Sequence, residues 1–514
     1  MIVATSRCDS DYTSSDQEGR GSAGVSFFSA VLMRDAGTGP VRHRPIAGLA
    51  RPLLYSGAVR LLFDRGTILL RDAPVGVDLS DLPGVLWDPR VRALRAPARH
   101  HPAIRAELAR RGVRFSDEVY RTADDVGPWA EMPLRPYQDA AHWAWQQASR
   151  RGVVVLPTGS GKTRLAIAAM ACARRPALAL VPTRVLLAQW VREISTAFGG
   201  AVGCLGDGER RVEAITVATF ESGWRQMDRL GNRFELLIVD EAHHFGSGVR
   251  DEVLELCAAP SRLGLTATPP SGAAAGRIEE LIGPTVFELS VGDLTGRYLA
   301  PFELVTFHLD LEPDERAAWV RAVAVYRPVL RAFMREAPGA GWLDFAKAAA
   351  RTEGGRRALA AFRESRALLA FPSAKRAAVR SLVARHTGAR ILVFTSDNAT
   401  AYAVAREHLL MPITCDIPRA ERAAALERFR RGELRALVSA RVLNEGIDVP
   451  DADVAIVVGG TQGEREHVQR VGRLLRPQEG KTALVYELVM RGTSEVAQAR
   501  RRREGLAPRQ PALL

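Results

Sequence analysis

The segment Leu156-Pro157-Thr158-Gly159-Ser160-Gly161-Lys162-Thr163 constrains the fold of this chain more than any other. It follows the apolar run Val153–Leu156 and precedes a helical pattern from Arg164 to Ala173. A glycine-rich turn between a buried strand and a helix aims backbone N–H groups and the positive end of the helix at one point. Such a turn cradles phosphates, and the buried strand that carries it belongs in an α/β layer structure. Only four of the 71 basic residues are lysines, and one of them is Lys162. A compact ammonium on a flexible stem reaches phosphate oxygens as a point charge, a task that the wider guanidinium does differently. The segment therefore implies a bound nucleoside triphosphate. Thr158, Gly159, Ser160 and Gly161 form the cradle, Lys162 faces the β/γ-phosphates and Thr163 offers its hydroxyl to Mg²⁺.

A chain of 514 residues, 47% apolar, should hold about three or four domains, each with a core of its own. The net charge of +13 favours a polyanionic partner, nucleic acid first. The five cysteines are scattered without a Cys-x-x-Cys pair, which argues against a disulfide framework and a zinc site. No apolar run reaches the length that crosses a bilayer, and Met1–Asp16 has no secretory pattern, so no membrane contact and a cytoplasmic location are expected.

Along the chain, residues 1–44 read as a loose polar tail. Residues 45–126 read as a small α+β module, with a hairpin formed by Leu61–Phe63, the turn Asp64-Arg65-Gly66 and Thr67–Leu70, then a helix from Pro102 to Arg111. From 127 to 300, apolar strands at Val153–Leu156, Ala177–Val181, Ile215–Ala218, Leu236–Val239 and Leu263–Leu265 alternate with helical stretches, the pattern of a parallel sheet covered by helices. A helical insertion is expected over 301–372, nearly continuous from 313 to 371 and broken near Pro338-Gly339-Ala340-Gly341. The strand–helix alternation resumes over 373–498, with strands at Ile391–Phe394, Ala436–Ser439, Val454–Val458 and Ala483–Leu488. Residues 499–514 form a basic tail, its Arg500–Arg503 run ending a helix.

The second chemical element is Leu236-Leu237-Ile238-Val239-Asp240-Glu241-Ala242-His243. An apolar strand delivers two adjacent carboxylates at its C-terminal end, where open α/β sheets hold their ligands. Asp240 would hold Mg²⁺ through water, and Glu241 would orient and polarise the attacking water. Leu263-Gly264-Leu265-Thr266-Ala267-Thr268-Pro269 ends another strand in short hydroxylated residues placed to bridge this segment to a neighbouring part.

Together these segments resemble the superfamily 2 helicases and translocases through most of residues 130–490. The resemblance implies two RecA-like α/β parallel-sheet domains with ATP and Mg²⁺ between them. Leu134-Arg135-Pro136-Tyr137-Gln138 is similar to the family's adenine-reading segment, which puts Gln138 on the base beside Arg135. Thr183 and Arg184, and Thr219 in Val217-Ala218-Thr219-Phe220, resemble strand-end contacts to a nucleic-acid backbone. Thr395 and Ser396, then Ser439 and Asn444, fall in segments similar to the family's motifs IV and V; Gly446 and Asp448 of the latter would line the nucleotide. Gln469-Arg470-Val471-Gly472-Arg473-Leu474-Leu475-Arg476 resembles motif VI, and Arg473 and Arg476, three apart on a helix, would reach the γ-phosphate as arginine fingers. Within the superfamily the chain is most similar to XPB-like DNA repair helicases. Phe63–Thr67 and Leu82–Arg90 resemble that group's damage-recognition module, and the helical stretch sits where those proteins carry a thumb-like insertion. An Arg-Glu-Asp tripeptide implicated in strand separation in that group is replaced by Pro269-Pro270-Ser271-Gly272.

The expected activity is ATP-driven 3′–5′ movement on single-stranded or forked DNA, in repair. Two alternatives stay open: the motor of a restriction or phage-defence complex with a nuclease partner, and an ATP-gated DNA-binding factor without processive movement. Lys162→Ala and Glu241→Gln should both abolish ATP turnover, with Glu241→Gln still binding ATP; wild-type turnover of either variant in a phosphate-release assay refutes the assignment.

Overall fold

The computed structural model describes residues 58–74, 76–120, 125–248, 250–295, 297–298, 302–440, 452–459 and 483–504. The expected tail at 1–44 lies outside these residues.

The first hairpin forms as its turn chemistry requires. Val59–Asp64 and Thr67–Arg71 pair antiparallel with Asp64 opposite Thr67. Their two-residue turn, Arg65-Gly66, has φ of 46° and 81°, the left-handed pair whose twist matches that of the strands. Gly66 is required for a second reason, because a Cβ there would lie 2.5 Å from Leu256 Cδ2 in the neighbouring α/β unit. Leu86–Asp88, Ala93–Pro97 and Phe115–Asp117 complete a five-stranded sheet. The helix His101–Arg110 packs Ile104 and Leu108 against Val59, Leu61, Ile68 and Leu70. The module is fastened to the next unit by Tyr120 Oη, which donates to Ala258 O at 2.6 Å, and by Asn232 Nδ2, which donates to Val119 O at 2.8 Å.

The second sheet has eight strands, in the order Thr285–Glu288, Arg151–Val155, Ser261–Thr266, Leu236–Asp240, Ala177–Val181, Ile215–Thr219, Val202–Gly206 and Glu209–Arg211. All neighbours are parallel except the last pair. Val154 and Ile238 enter one hydrophobic cluster and Val153, Val155 and Val239 the other, so both faces are buried and the strands read as continuous apolar runs. Because Ser261–Thr266 lies between the strand of the glycine-rich loop and the strand of the paired carboxylates, their C-terminal ends share one edge. Val155 stands opposite Thr266, and Leu265 opposite Asp240.

The third sheet is wholly parallel: Phe302–Leu309, Ala483–Met490, Val454–Val457, Ile391–Phe394, Ala436–Ser439 and Met411–Ile413. Its first strand corrects the expectation of a helical insertion from 301. Phe302–Leu309 pairs over eight residues with Ala483–Met490, so the helical part is inserted after the first strand of this sheet. That strand lies at the sheet edge and half exposed, and so lacks the apolar run that marks a central strand. The insertion is three helices, Pro313–Glu336, Trp342–Ala350 and Glu353–Ala370, tied by an aromatic cluster in which Trp342 and Phe362 lie 4.1 Å apart. The expected break near Pro338–Gly341 is present, and a second follows at Thr352, whose hydroxyl caps the last helix. Helix Ser494–Glu504 carries the arginine run and is held by Lys375, whose buried Nζ donates to Glu495 Oε1 and Leu369 O, each at 2.8 Å. Among the described residues no helix is long and apolar enough to cross a membrane.

One buried cation holds the second sheet's helices in place. Arg262 is fully buried and donates to Leu254 O, Cys257 O, Ala259 O and Leu281 O, carbonyls at or near the ends of Glu252–Glu255 and Ala273–Leu281. Burial pushes its pKa down to about 10, and the carbonyls are what make its charge tolerable there. Arg262→Met should cost about 3 kcal/mol through orphaned carbonyls, a drop of roughly 6–12 °C in the unfolding midpoint for a domain of this size; an unchanged midpoint by scanning calorimetry overturns this role.

Candidate nucleotide and nucleic-acid site

The glycine-rich loop leaves its strand with Leu156 N donating to Thr266 O at 2.9 Å, so the loop and the central hydroxyl segment are tied from the outset. Gly161 has φ 79° and is the N-cap of the helix Lys162–Ala173; a Cβ at this position would lie 2.5 Å from Gln138 Nε2. Ser160 is buried and donates through Oγ to Pro157 O at 2.6 Å, which folds the loop on itself. Lys162 Nζ lies 3.3 Å from Leu156 O, at the base of the loop. Thr163 occupies the first turn of the helix, half-buried.

Gln138, expected on the base, is bonded to the glycine-rich loop. It is 1% exposed. Its Nε2 donates to Ser160 O at 2.8 Å and Gly161 O at 3.3 Å, and its Oε1 accepts from Arg135 N at 2.9 Å. Tyr137 Oη donates to Ser160 O as well, at 2.6 Å. Both ends of the amide are thus engaged, and the segment holds the loop from below. Arg135 remains exposed, its guanidinium 3.4 Å from Tyr298 O. Tyr298 packs edge-on against Tyr137 at 4.7 Å, a neighbour that sequence alone did not indicate.

Asp240 and Glu241 emerge two strands away, at the same edge. Asp240 is 6% exposed; its Oδ2 accepts from Trp190 Nε1 at 3.1 Å and its Oδ1 from Glu241 N at 3.0 Å. Burial first, and then the adjacent Glu241 carboxylate, push the Asp240 pKa up to about 7, while the Lys162 ammonium opposes the shift. Glu241 stands at φ 48°, ψ 50°, a left-handed conformation that costs a non-glycine residue about 1–3 kcal/mol and is held only where its surroundings impose it. Its neighbour His243 bonds through Nδ1 to Thr266 Oγ1 at 2.9 Å and lies 3.4 Å from Glu241 Oε2. Thr266 Oγ1 also donates to Thr268 O at 2.9 Å. The hydroxyl segment therefore braces the paired carboxylates.

Thr158 Oγ1, Glu241 Oε2 and Thr268 Oγ1, all buried atoms at this edge, have no hydrogen-bond partner among the described residues. Buried groups of this kind are normally satisfied, so these atoms suit polar partners such as phosphate oxygens, water and the water shell of a cation.

The expected nucleic-acid residues divide by burial. Thr183 Oγ1 caps the helix Arg184–Ala197 by accepting from Leu186 N at 3.3 Å, which leaves Arg184 exposed at its start. Thr219 is buried and caps Phe220–Trp224 through Ser222 N at 3.2 Å. Thr395 and Ser439 are buried at strand ends, with Thr395 Oγ1 donating to Asp397 O at 3.1 Å. The described hydrogen bonds of these side chains shape the strand ends and helix starts. Ser396 is half-buried and donates to Asp397 Oδ2 at 2.7 Å. Asp207 receives a guanidinium from each side, Arg184 at 3.6 Å and Arg419 of the third-sheet unit at 3.1 Å. Asn444, Gly446, Asp448, Arg473 and Arg476 lie outside the described residues.

Sequence comparison agrees with this geometry. Residues 131–271 match the model of the type III restriction enzyme res subunit, 374–478 that of the helicase conserved C-terminal domain, and 61–119 that of the xeroderma pigmentosum group B helicase damage recognition domain. The chain is 34% identical over 437 residues to the DNA 3′-5′ translocase XPB2 of Sulfurisphaera tokodaii, covering 84% of this chain and 98% of that protein. The chain belongs to the XPB-like helicases of superfamily 2.

A second XPB relative, the DNA 3′-5′ helicase XPB of Mycobacterium tuberculosis, is 30% identical over 73% of this chain, which spans 64% of that protein. Among solved structures, Saccharomyces cerevisiae Dbp5 bound to RNA and ADP BeF3 superposes with a TM-score of 0.50 at 15% identity, over 73% of this chain and 88% of that one, and shares the RecA-like fold. In this XPB-like chain the amide of Gln138 is the brace of the phosphate loop. Gln138→Ala should raise KM for ATP about tenfold, the weight of the buried hydrogen bonds lost, with a smaller change in kcat; steady-state kinetics showing an unchanged KM removes that role.

Proposed function

We propose that the chain is an ATP-dependent DNA translocase of 3′–5′ polarity, and that the edge shared by the glycine-rich loop and Asp240–Glu241 is its hydrolysis site. The observation that carries this reading is the Glu241 carboxylate, mostly covered and carried on a left-handed backbone, at the same sheet edge as the Lys162 loop. Lys162 neutralises the β/γ-phosphates and the first turn of its helix supplies N–H donors. Glu241 orients the attacking water and draws on its proton as the terminal P–O bond breaks and ADP leaves. Thr163 and, through water, Asp240 would hold Mg²⁺, which when bound there neutralises phosphate charge. Arg473 and Arg476 complete the site from the second RecA-like unit, with Gly446 and Asp448 beside the nucleotide. Closing and reopening of the two units around ATP moves backbone contacts along one strand.

The same reading divides the chain into the 45–126 module, a first RecA-like unit at 127–300, a second that begins at its edge strand Phe302–Leu309, and a helical insertion within it. DNA is the partner, supported by family membership and the net charge of +13. The damage-recognition match at 61–119 supports a role in repair with a repair partner, and cytoplasmic residence is part of the same reading. One observation favours movement without vigorous strand separation. Where the resemblance calls for Arg-Glu-Asp, Pro269-Pro270-Ser271-Gly272 runs straight into the helix Ala273–Leu281.

ATPase stimulation should be strongest with DNA and fall steeply between 50 and 200 mM salt, because phosphate contacts dominate affinity. In a triplex-displacement assay the chain should strip a third strand while opening forks poorly. Exclusive stimulation by RNA sinks the DNA reading, and a third strand left in place under ATP turnover favours a nucleotide-gated binder.

A further inference from the structure

Four tryptophan indoles in this chain have defined partners, and one of them is unlike the rest. Trp145 Nε1 donates to Arg262 O at 2.9 Å and Trp129 Nε1 to Val126 O at 2.8 Å, both backbone carbonyls. Trp224, exposed, reaches Glu252 Oε2. Trp190, fully buried in the core of the first RecA-like unit, donates at 3.1 Å to Oδ2 of Asp240, fifty residues later and also buried.

An indole N–H can only donate. Paired with a carboxylate oxygen it strengthens the ionised form and fixes the plane of the group, because the other oxygen is held by Glu241 N at 3.0 Å. Two of the four lone-pair directions of Asp240 are thereby occupied from the protein side. The remaining two accept no hydrogen bond among the described residues, and the Lys162 ammonium is near enough to act on the carboxylate. A carboxylate that accepts only one backbone bond keeps rotational freedom about χ2, whose torsional well is broad. Outer-shell donors of this kind orient a metal-binding group and tune its affinity.

We infer that Trp190 is a positioning residue, which acts through Asp240 to aim its free oxygen lone pairs at the water shell of the nucleotide-bound divalent cation. This rests on the assignment of Asp240 to that cation made above. The helix Arg184–Ala197 makes the brace rigid. Thr183 caps its start, and Leu187, Trp190 and Ile194 bury one face against the sheet, so the indole is held by packing at the level of the Asp240 strand end.

The test is Mn²⁺ affinity, read by electron paramagnetic resonance with a non-hydrolysable ATP analogue, in full-length protein. Trp190→Phe removes the N–H and keeps an aromatic ring. A second variant places benzothienylalanine at 190, an isostere that has sulfur where the indole has N–H, so shape is retained should Trp190→Phe unfold. Both variants should weaken Mn²⁺ binding about tenfold, leave metal-free nucleotide binding unchanged, and add nothing in an Asp240→Asn background, where the brace has no carboxylate to aim. Wild-type Mn²⁺ affinity in the isostere, with Asp240→Asn weakened, overturns the inference and leaves Trp190 a core residue. An isostere loss that persists in full in the Asp240→Asn background also overturns it. Wild-type affinity in Asp240→Asn itself fails the site assignment, and the inference falls with it by a separately visible route.

Discussion

A buried aspartate set beside a second carboxylate is the costly element around which this structure is arranged. Asp240 sits at the end of a strand buried on both faces, where desolvation and the adjacent Glu241 carboxylate favour its protonated acid. Each nearby contact offsets part of that cost or holds the geometry it forces. The Trp190 indole and the Glu241 amide donate to Asp240, the Lys162 ammonium opposes its protonation, and His243 ties the turn to Thr266. The left-handed backbone at Glu241 persists because the strand, the three-residue helical turn after it and the Thr266 contact leave it no other path.

The nucleic-acid side is organised differently. Of the residues expected to touch a phosphate backbone, the threonines and Ser439 are spent on capping helices or are buried at strand ends. What they present is the start of each helix. Arg184 is the exposed cation at one such start, and it shares Asp207 with Arg419 from the other RecA-like unit. A carboxylate between two exposed guanidiniums is a weak link in water, so it does not lock the two units together.

Much of this was legible in the sequence, for local reasons. The strands Ala177–Val181, Ile391–Phe394 and Ala436–Ser439 have the expected bounds because central parallel strands are apolar throughout and bracketed by turn residues. The Arg65-Gly66 turn follows from a glycine where φ must be positive. The edge strand Phe302–Leu309 was missed because one half-exposed side breaks the apolar run, and its partner is about 180 residues distant. The contacts of Gln138 with the loop carbonyls were not legible, because a motif names residue types and spacing but not which nearby acceptors an amide will choose. Trp190 and Arg262 carried no signal beyond burial.

The sequence by itself determined the chemistry: a loop that must bind phosphates, a strand that must end in two carboxylates, and a charge that asks for a polyanion. Those are properties of short segments, fixed by backbone sterics, periodicity and residue type. Only the tertiary structure decided how the segments act on one another. Inserting Ser261–Thr266 between the two functional strands set their spacing, brought Trp190 beneath Asp240, and put Gln138 under the loop. Contacts of that kind join residues tens of positions apart, and they form where burial leaves each polar atom a single partner within reach.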